Sequence, residues 1–293
     1  MNKNKKIAII GANGQLGSDL KRAFSEKPVL ALNGPPEHDI DITDIDSIRR
    51  ALDGHEIDFI INTAAYTDVP NCENLKDLAY SVNALGAKNV AVVSREIGAY
   101  LVHLSSDYVF DGTKTTPYLE EDNTDPLNYY GYTKLEGEMM IVKETQDFYI
   151  VRTSGLYGVS GCLVKGENFV DKMLHFAKEK DIIRVVDNEV LTPTYSLNLA
   201  MQIKKMTEIL PIAGIYHATS GGECSWYEFT KEIFKLSGMQ VNIVPAHQSD
   251  FESKVKRPLY SVLENAALKK ADIDIMKDWR IVLKEYLKEK NLL

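Results

Sequence analysis

Short apolar runs recur along the first half of the chain. They are Ile7-Ala8-Ile9-Ile10, Val29-Leu30-Ala31-Leu32, Asp58-Phe59-Ile60-Ile61-Asn62, Tyr100-Leu101-Val102-His103-Leu104 and Phe148-Tyr149-Ile150-Val151. Unbroken runs of this length suit strands covered on both faces, as in a parallel sheet. The stretches between them carry helical signals: Thr43 or Asp44 opens a segment through Leu52, and another spans Asn83 to Ile97. Alternating strands and helices predict βαβ crossovers and a doubly wound α/β fold. After about residue 153 the rhythm changes. A glycine-rich loop from Ser154 to Gly166 precedes a helix at about Asn168–Lys178, and strand-like pieces follow at Ile182–Val186 and Ile215–Ala218. Helical patterns at Trp226–Leu236, Glu264–Leu268 and Trp279–Lys288 fill the last third. The pattern divides the chain into a larger sheet-forming part, 1–153 plus about 179–220, and a smaller interleaved C-terminal lobe, about 154–178 plus 221–293.

Composition narrows the reading. The 293 residues are 44% apolar and 26% charged, the mix of a globular protein with ample core. With 42 acidic against 34 basic side chains the net charge is −8, which argues against a dedicated nucleic-acid binder. Cys72, Cys162 and Cys224 form no CxxC or Cys/His cluster and read as reduced, packed thiols. No apolar stretch approaches the ~18 residues of a membrane span. The basic start, Met1 to Lys6, is followed by only four apolar residues before Gly11, too few for a secretory core, so a cytoplasmic protein is expected. His175 and His217 lack companions at metal-ligand spacing, and His103 reads as a satisfied core residue.

Directly after the first strand comes Gly11-Ala12-Asn13-Gly14-Gln15-Leu16-Gly17, a GxxGxxG loop leading into an amphipathic helix. Glycines there permit a tight turn and close approach of backbone to a pyrophosphate, which the helix N-terminus attracts. This context makes the sheet a Rossmann-type dinucleotide site. Asn33 stands after the second strand where an acidic residue would grip a ribose, and no Arg stands beside it for a 2′-phosphate, so NADH and NADPH both stay open. Asp41-Ile42 either reaches the adenine end or forms an N-cap cluster with Thr43.

The fourth strand ends in Ser105-Ser106-Asp107-Tyr108, at the sheet edge where ligands bind in such folds. Further on, Tyr130-Gly131-Tyr132-Thr133-Lys134 opens a helix expected over Thr133–Lys143. Tyr130 and Lys134, four apart, share a helical face. A phenol with a pKa near 10 is a reluctant proton carrier at neutral pH. A neighbouring ammonium favours the phenolate and brings the group into range for acid–base work. A serine hydroxyl can stabilise a developing alkoxide. Together these three side chains point to hydride transfer onto a carbonyl, with Tyr130 as proton donor.

On these residues the chain resembles the extended short-chain dehydrogenase/reductases and, within them, the dTDP-4-dehydrorhamnose reductase family. The likeness extends through Asn62-Thr63-Ala64-Ala65-Tyr66-Thr67, Asn83-Ala84-Leu85-Gly86, Ser105–Phe110, Val151–Ser154, Asn168-Phe169-Val170, Thr192-Pro193-Thr194, Cys224-Ser225-Trp226 and Arg257–Ser261. The resemblance implies NAD(P)H-dependent reduction of the C4 ketone of dTDP-4-dehydro-6-deoxy-L-mannose to dTDP-L-rhamnose, for surface polysaccharide. It implies Ser106, Tyr130 and Lys134 as catalytic, with Asp107 helping to place the sugar. For the cofactor, NADP(H) or NAD(H), it implies Gly11, Asn13, Gly14, Gln15, Leu16, Gly17, Asp41, Ile42, Ala64, Ala65, Thr67, Tyr130 and Lys134. For the dTDP-sugar it implies Ser106, Asp107, Asn168, Trp226 and Arg257. One branch of the family forms a metal-bridged dimer, so Mg2+ and a monomer or homodimer are both admitted, and no metal ligand is assigned. The guanidinium of Arg257 also suits a diphosphate on chemical grounds, against the plainer reading of a solvated charge among Lys254 and Lys256.

Three departures fall on the sugar side. Gly155 stands where relatives often carry Trp, the loop Gly158–Gly166 is long, and Glu189-Val190-Leu191 replaces a Gln-x-Gly type of sequence. They leave open a reductase of a different 4-keto-6-deoxy sugar nucleotide. A non-catalytic nucleotide-binding regulatory subunit is the alternative from another class, and the intact Ser106, Tyr130 and Lys134 argue against it.

Overall fold

In the computed structural model, residues 5–161, 166–252 and 255–293 are described. Residues 1–4, Cys162 and Lys254 lie outside them, as does part of the long loop after Gly158. Cys72 and Cys224 are buried thiols.

The first five apolar runs form parallel strands: β1 Ile7–Ile10, β2 Val29–Leu32, β3 Phe59–Asn62, β4 Tyr100–Ser106 and β5 Phe148–Thr153. A sixth strand, Gly214–His217, pairs parallel with β5 at the edge. Across the sheet the order is Gly214–His217, β5, β4, β3, β1, β2. Side chains alternate faithfully between its faces. Ile7, Ile9, Phe59, Ile61, Val102, Tyr149 and Val151 enter one core with helix α1 (Gln15–Ala23) and the later helix Ser196–Ile209. Ala8, Ile10, Ile60, Leu101 and Ile150 enter the other. The helices on that side are α2 (Ile45–Leu52), α5 (Ala87–Ile97) and α6 (Tyr129–Glu144). Between α2 and α5 lie two short helices, α3 (Val69–Asn74) and α4 (Lys76–Tyr80), and a π-helical turn, Ser81–Gly86. This two-sided burial is why the strands read as continuous apolar runs. The sheet is doubly wound, as expected.

From β1 the chain goes outward to β2 and returns on the other side of β1 to form β3. Such a reversal opens a crevice at the carboxyl ends of the strands.

A separate core gathers helices Phe169–Glu179, Trp226–Ser237 and Trp279–Glu289 with the parallel pair Ile182–Val186 and Asn242–Ala246. Within 179–220, therefore, Ile182–Val186 pairs outside the large sheet, whereas Gly214–His217 completes it. Among the described residues no helix is long and apolar enough to cross a membrane.

Candidate active site

β1 passes into α1 through Gly11, held at φ +80°, a conformation favouring glycine. A Cβ on Gly17 would stand 2.1 Å from the Gly11 carbonyl oxygen, and one on Gly11 would stand 2.7 Å from Thr63 Oγ1. The loop is thus pressed onto the residue following β3. Gly14 caps α1 without a side chain, and the first turn carries no acidic residue. The amides of that turn remain open to an anion, which suits a dinucleotide pyrophosphate. Asn13 is held by its backbone N–H donating to Asn33 Oδ1 at 2.7 Å, and its side-chain oxygen accepts from Lys21 at 2.9 Å. Gln15 Oε1 is buried with no hydrogen-bond partner, a polar atom left for a ligand to satisfy. Asp41 is exposed and accepts from the N–H and hydroxyl of Thr43, a local turn, while Asp44 caps α2. Ile42 is buried against Gly86, where a Cβ would come within 2.8 Å of it. Ala64, Ala65 and Thr67 line the half-buried segment after β3.

Ser106 ends β4 and caps a 3-10 turn, Asp107–Val109, accepting from Tyr108 N–H at 3.2 Å. Helix α6 begins earlier than its expected Thr133, because Asn128 accepts from Gly131 N–H and caps it. Tyr130 and Lys134 consequently both lie in regular helix, one turn apart. A Cβ on Gly131 would stand 2.1 Å from the Tyr108 carbonyl oxygen, so glycine lets α6 close on the turn that carries Ser106. The Tyr130 ring meets Tyr108 edge-on with centroids 5.9 Å apart. From the other side, Asn83 in the π-helical turn donates to Thr133 Oγ1 at 3.0 Å and to the Tyr66 carbonyl at 3.1 Å.

Lys134 is 2% exposed. Its Nζ donates to the Leu104 carbonyl at 2.6 Å and lies 3.3 Å from His103 Nε2. Burial brings the ammonium pKa down to about 8, partly opposed by the Glu138 carboxylate. His103 is buried as expected, but it is more than filler: Nδ1 faces Asn62 and Nε2 faces Lys134. Its lone place inside an apolar strand gave no sign of that pairing.

On the sugar side, Asp107 is buried and accepts from Ser106 at 2.9 Å and Ser154 at 2.7 Å, with the Ser261 hydroxyl as a further partner. Burial raises its pKa against those hydrogen bonds. Its oxygens hold the ends of β4 and β5 to the 257–261 segment. Ser154 and Ser261 had no signal beyond membership of the motifs that carry the resemblance.

Trp226 donates its Nε1 to Glu189 Oε2 at 3.2 Å, and Gln248 donates to Glu189 Oε1 at 2.8 Å. Glu189 is 5% exposed, and burial raises its pKa while the charge of Arg257 opposes the rise. Arg257 also acts through its charge on Tyr108, so it lies toward the Ser106 turn. Trp226, Glu189 and half-buried Arg257 thus form one wall. Asn168 serves differently. It caps helix Phe169–Glu179 through Asp171 N–H and donates to the Gly158 carbonyl and Tyr286 Oη, at 2.9 and 3.1 Å. Its neighbour Phe169 contacts the Trp226 ring, 4.2 Å between centroids. Gly155 has φ +54°, and a Cβ there would come within 2.8 Å of Leu191 Cδ1. The Leu191 side chain and the backbone at Thr192 and Pro193 therefore occupy the space a larger side chain would need. The only sequence signal for Glu189 is its place in Glu189-Val190-Leu191, which departs from a Gln-x-Gly type of sequence.

Comparison with known proteins places the whole chain in a family. The family model described as the RmlD substrate binding domain matches residues 5–292. A spore coat polysaccharide biosynthesis protein of Bacillus subtilis is 40% identical, covering 98% of each chain. The crystal structure of a dTDP-4-dehydrorhamnose reductase from Clostridium acetobutylicum superposes with a TM-score of 0.92 at 39% identity, covering 98% of this chain and 99% of that one. That of the Bacillus anthracis reductase in complex with NADP gives 0.92 at 36% identity and the same coverage.

Proposed function

We infer the function from the premise that this chain belongs to the dTDP-4-dehydrorhamnose reductase family, to which the RmlD substrate binding domain gives its model. It is an NAD(P)H-dependent oxidoreductase that reduces the C4 ketone of dTDP-4-dehydro-6-deoxy-L-mannose, yielding dTDP-L-rhamnose for polysaccharide. The observation that carries this reading is the gathering of Ser106, Tyr130 and Lys134 at the carboxyl ends of the sheet, beside the glycine cradle. The reduced nicotinamide, when bound, supplies the hydride.

The residues of the chain do the rest. Gly11, Gly14 and Gly17 let the α1 amides approach the pyrophosphate, with Asn13, Gln15 and Leu16 completing the loop. Asp41 and Ile42 border the adenine end; Ala64, Ala65 and Thr67 line the floor. When the substrate binds, the Ser106 hydroxyl turns its single proton from Asp107 to the ketone oxygen and stabilises negative charge there. Tyr130 gives that oxygen its proton, and Lys134 supplies positive charge one turn away. Asp107 holds Ser106 in place. Arg257 takes the diphosphate and Trp226 packs against the substrate, while Asn168 supports that wall through Phe169. In this proposal residues 1–153 and about 179–220 serve the cofactor, and about 154–178 and 221–293 serve the sugar nucleotide. The proposed setting is cytoplasmic.

Incubating the protein with NADPH or NADH and enzymatically generated dTDP-4-dehydrorhamnose tests the reading. Cofactor oxidation with dTDP-rhamnose as product is expected. Absence of oxidation with either cofactor refutes it.

A further inference from the structure

We propose that Asn62 and His103 set the charge of Lys134, acting as positioning residues: Asn62 holds His103 in the Nε2–H tautomer, which accommodates the neutral amine of Lys134 better than its ammonium.

The argument is one of donors and acceptors. Asn62, His103 and Lys134 are at most 2% exposed, so water does not settle their hydrogen bonds. The Asn62 amide is oriented by Ala64, whose N–H donates to Oδ1 at 3.1 Å. Its Nδ2 is therefore the atom 3.2 Å from His103 Nδ1. An amide nitrogen only donates, so Nδ1 accepts, and a neutral imidazole then carries its proton on Nε2. That N–H faces Lys134 Nζ at 3.3 Å. An ammonium has three donors and no acceptor, whereas a neutral amine can accept from Nε2–H and still donate to the Leu104 carbonyl. Charging Lys134 would drive the imidazole proton to Nδ1, against the Asn62 amide, and two buried donors would oppose each other.

The other groups facing Lys134 do not reverse this. Glu138, one turn on in α6, favours the ammonium, but Arg152 from β5 and Ser105 from β4 already engage its carboxylate. Tyr130 lies one turn before. His103 is held well below its ordinary range by burial, with the lysine charge adding to the effect, and so stays neutral. A lysine poised near pH 8 agrees with the network. Below that pH Lys134 is charged and supports proton donation by Tyr130. Above it the amine is neutral and turnover falls. The buried pair thus fixes where the alkaline limb of the pH profile begins.

The kinetic arm rests on the reductase reading above; the spectroscopic arm does not. With 15N-histidine labelling and a His103→Gln variant to assign the signal, His103 in the NADP-saturated protein at alkaline pH, where Lys134 is neutral, should show the Nε2–H tautomer. An Nδ1–H tautomer overturns the proposal. In Asn62→Asp the new carboxylate accepts from Nδ1–H and frees Nε2 to accept from the ammonium. The alkaline limb of kcat should then move upward by about one pH unit or more. A folded variant that merely loses rate at every pH, with the limb unmoved, also overturns it. Should Asn62→Asp not fold, the tautomer of the unaltered protein decides alone.

Discussion

Arg152→Met removes one half of an ion pair buried beneath the catalytic strand. Arg152 and Glu138 are each 3% exposed, and the guanidinium engages the carboxylate twice, Nη2 to Oε2 at 2.7 Å and Nε to Oε1 at 3.0 Å. It also lies over the Phe110 ring, 5.2 Å from the centroid. Without it, Glu138 keeps the Ser105 hydroxyl but loses its cation in a place water does not reach. Stranding one charge of a buried pair costs about 3–5 kcal/mol. Each kcal/mol lowers Tm by about 2–4 °C in domains of this order of size, so a fall on the order of 10 °C is expected. Thermal melts followed by circular dichroism, with calorimetry on the same samples, measure it. The double variant Glu138→Leu/Arg152→Met carries no stranded charge and should recover at least half of the loss. A fall below about 3 °C for Arg152→Met, or a double variant worse than the single one, would refute the assignment of this pair as a buried electrostatic unit.

Three further outcomes test the site. Tyr130→Phe should fold and bind NADPH normally while kcat falls by about 10²–10⁴, measured by steady-state kinetics and cofactor fluorescence; unchanged turnover would dismiss Tyr130 as proton donor. Lys134→Met should lose turnover and also bind cofactor more weakly by fluorescence titration, since under the proposed function its ammonium hydrogen-bonds the nicotinamide ribose; full activity at pH 7 would show its charge to be idle. Arg257→Ala should raise KM for the dTDP-sugar by about tenfold or more with a smaller change in kcat, because the charge-assisted contact to diphosphate that the proposed function assigns to it would be lost. An unaltered KM would place the diphosphate elsewhere.

Much of this was legible along the chain. Both sides of the large sheet are apolar, so β1 to β5 stand out as unbroken runs, and the glycine spacing after β1 marks a place where backbone must approach backbone. Tyr130 and Lys134 could be paired because helical geometry relates positions four apart. Long-range polar pairing is what the letters withhold. Nothing local ties His103 to Lys134, 31 positions on, or Asp107 to Ser154 and Ser261. Nor does any local pattern place Glu189 between Trp226 and Gln248. Helix α6 starts at Tyr129 and not at the expected Thr133 because Asn128, two residues before Tyr130, caps it. Ile182–Val186 has strand character but no feature that names its partner, Asn242–Ala246.

One buried carboxylate gathers hydroxyls from positions 106, 154 and 261. Segments that leave the ribosome far apart therefore reach their working places together or not at all. A fragment ending before residue 261 would leave Asp107 short of a partner exactly where Ser106 must be held, so the nucleotide-binding part is a poor candidate for an active miniature. For anyone splitting or circularly rejoining the chain, the cut belongs on the far edge of the small lobe, away from that three-way clasp.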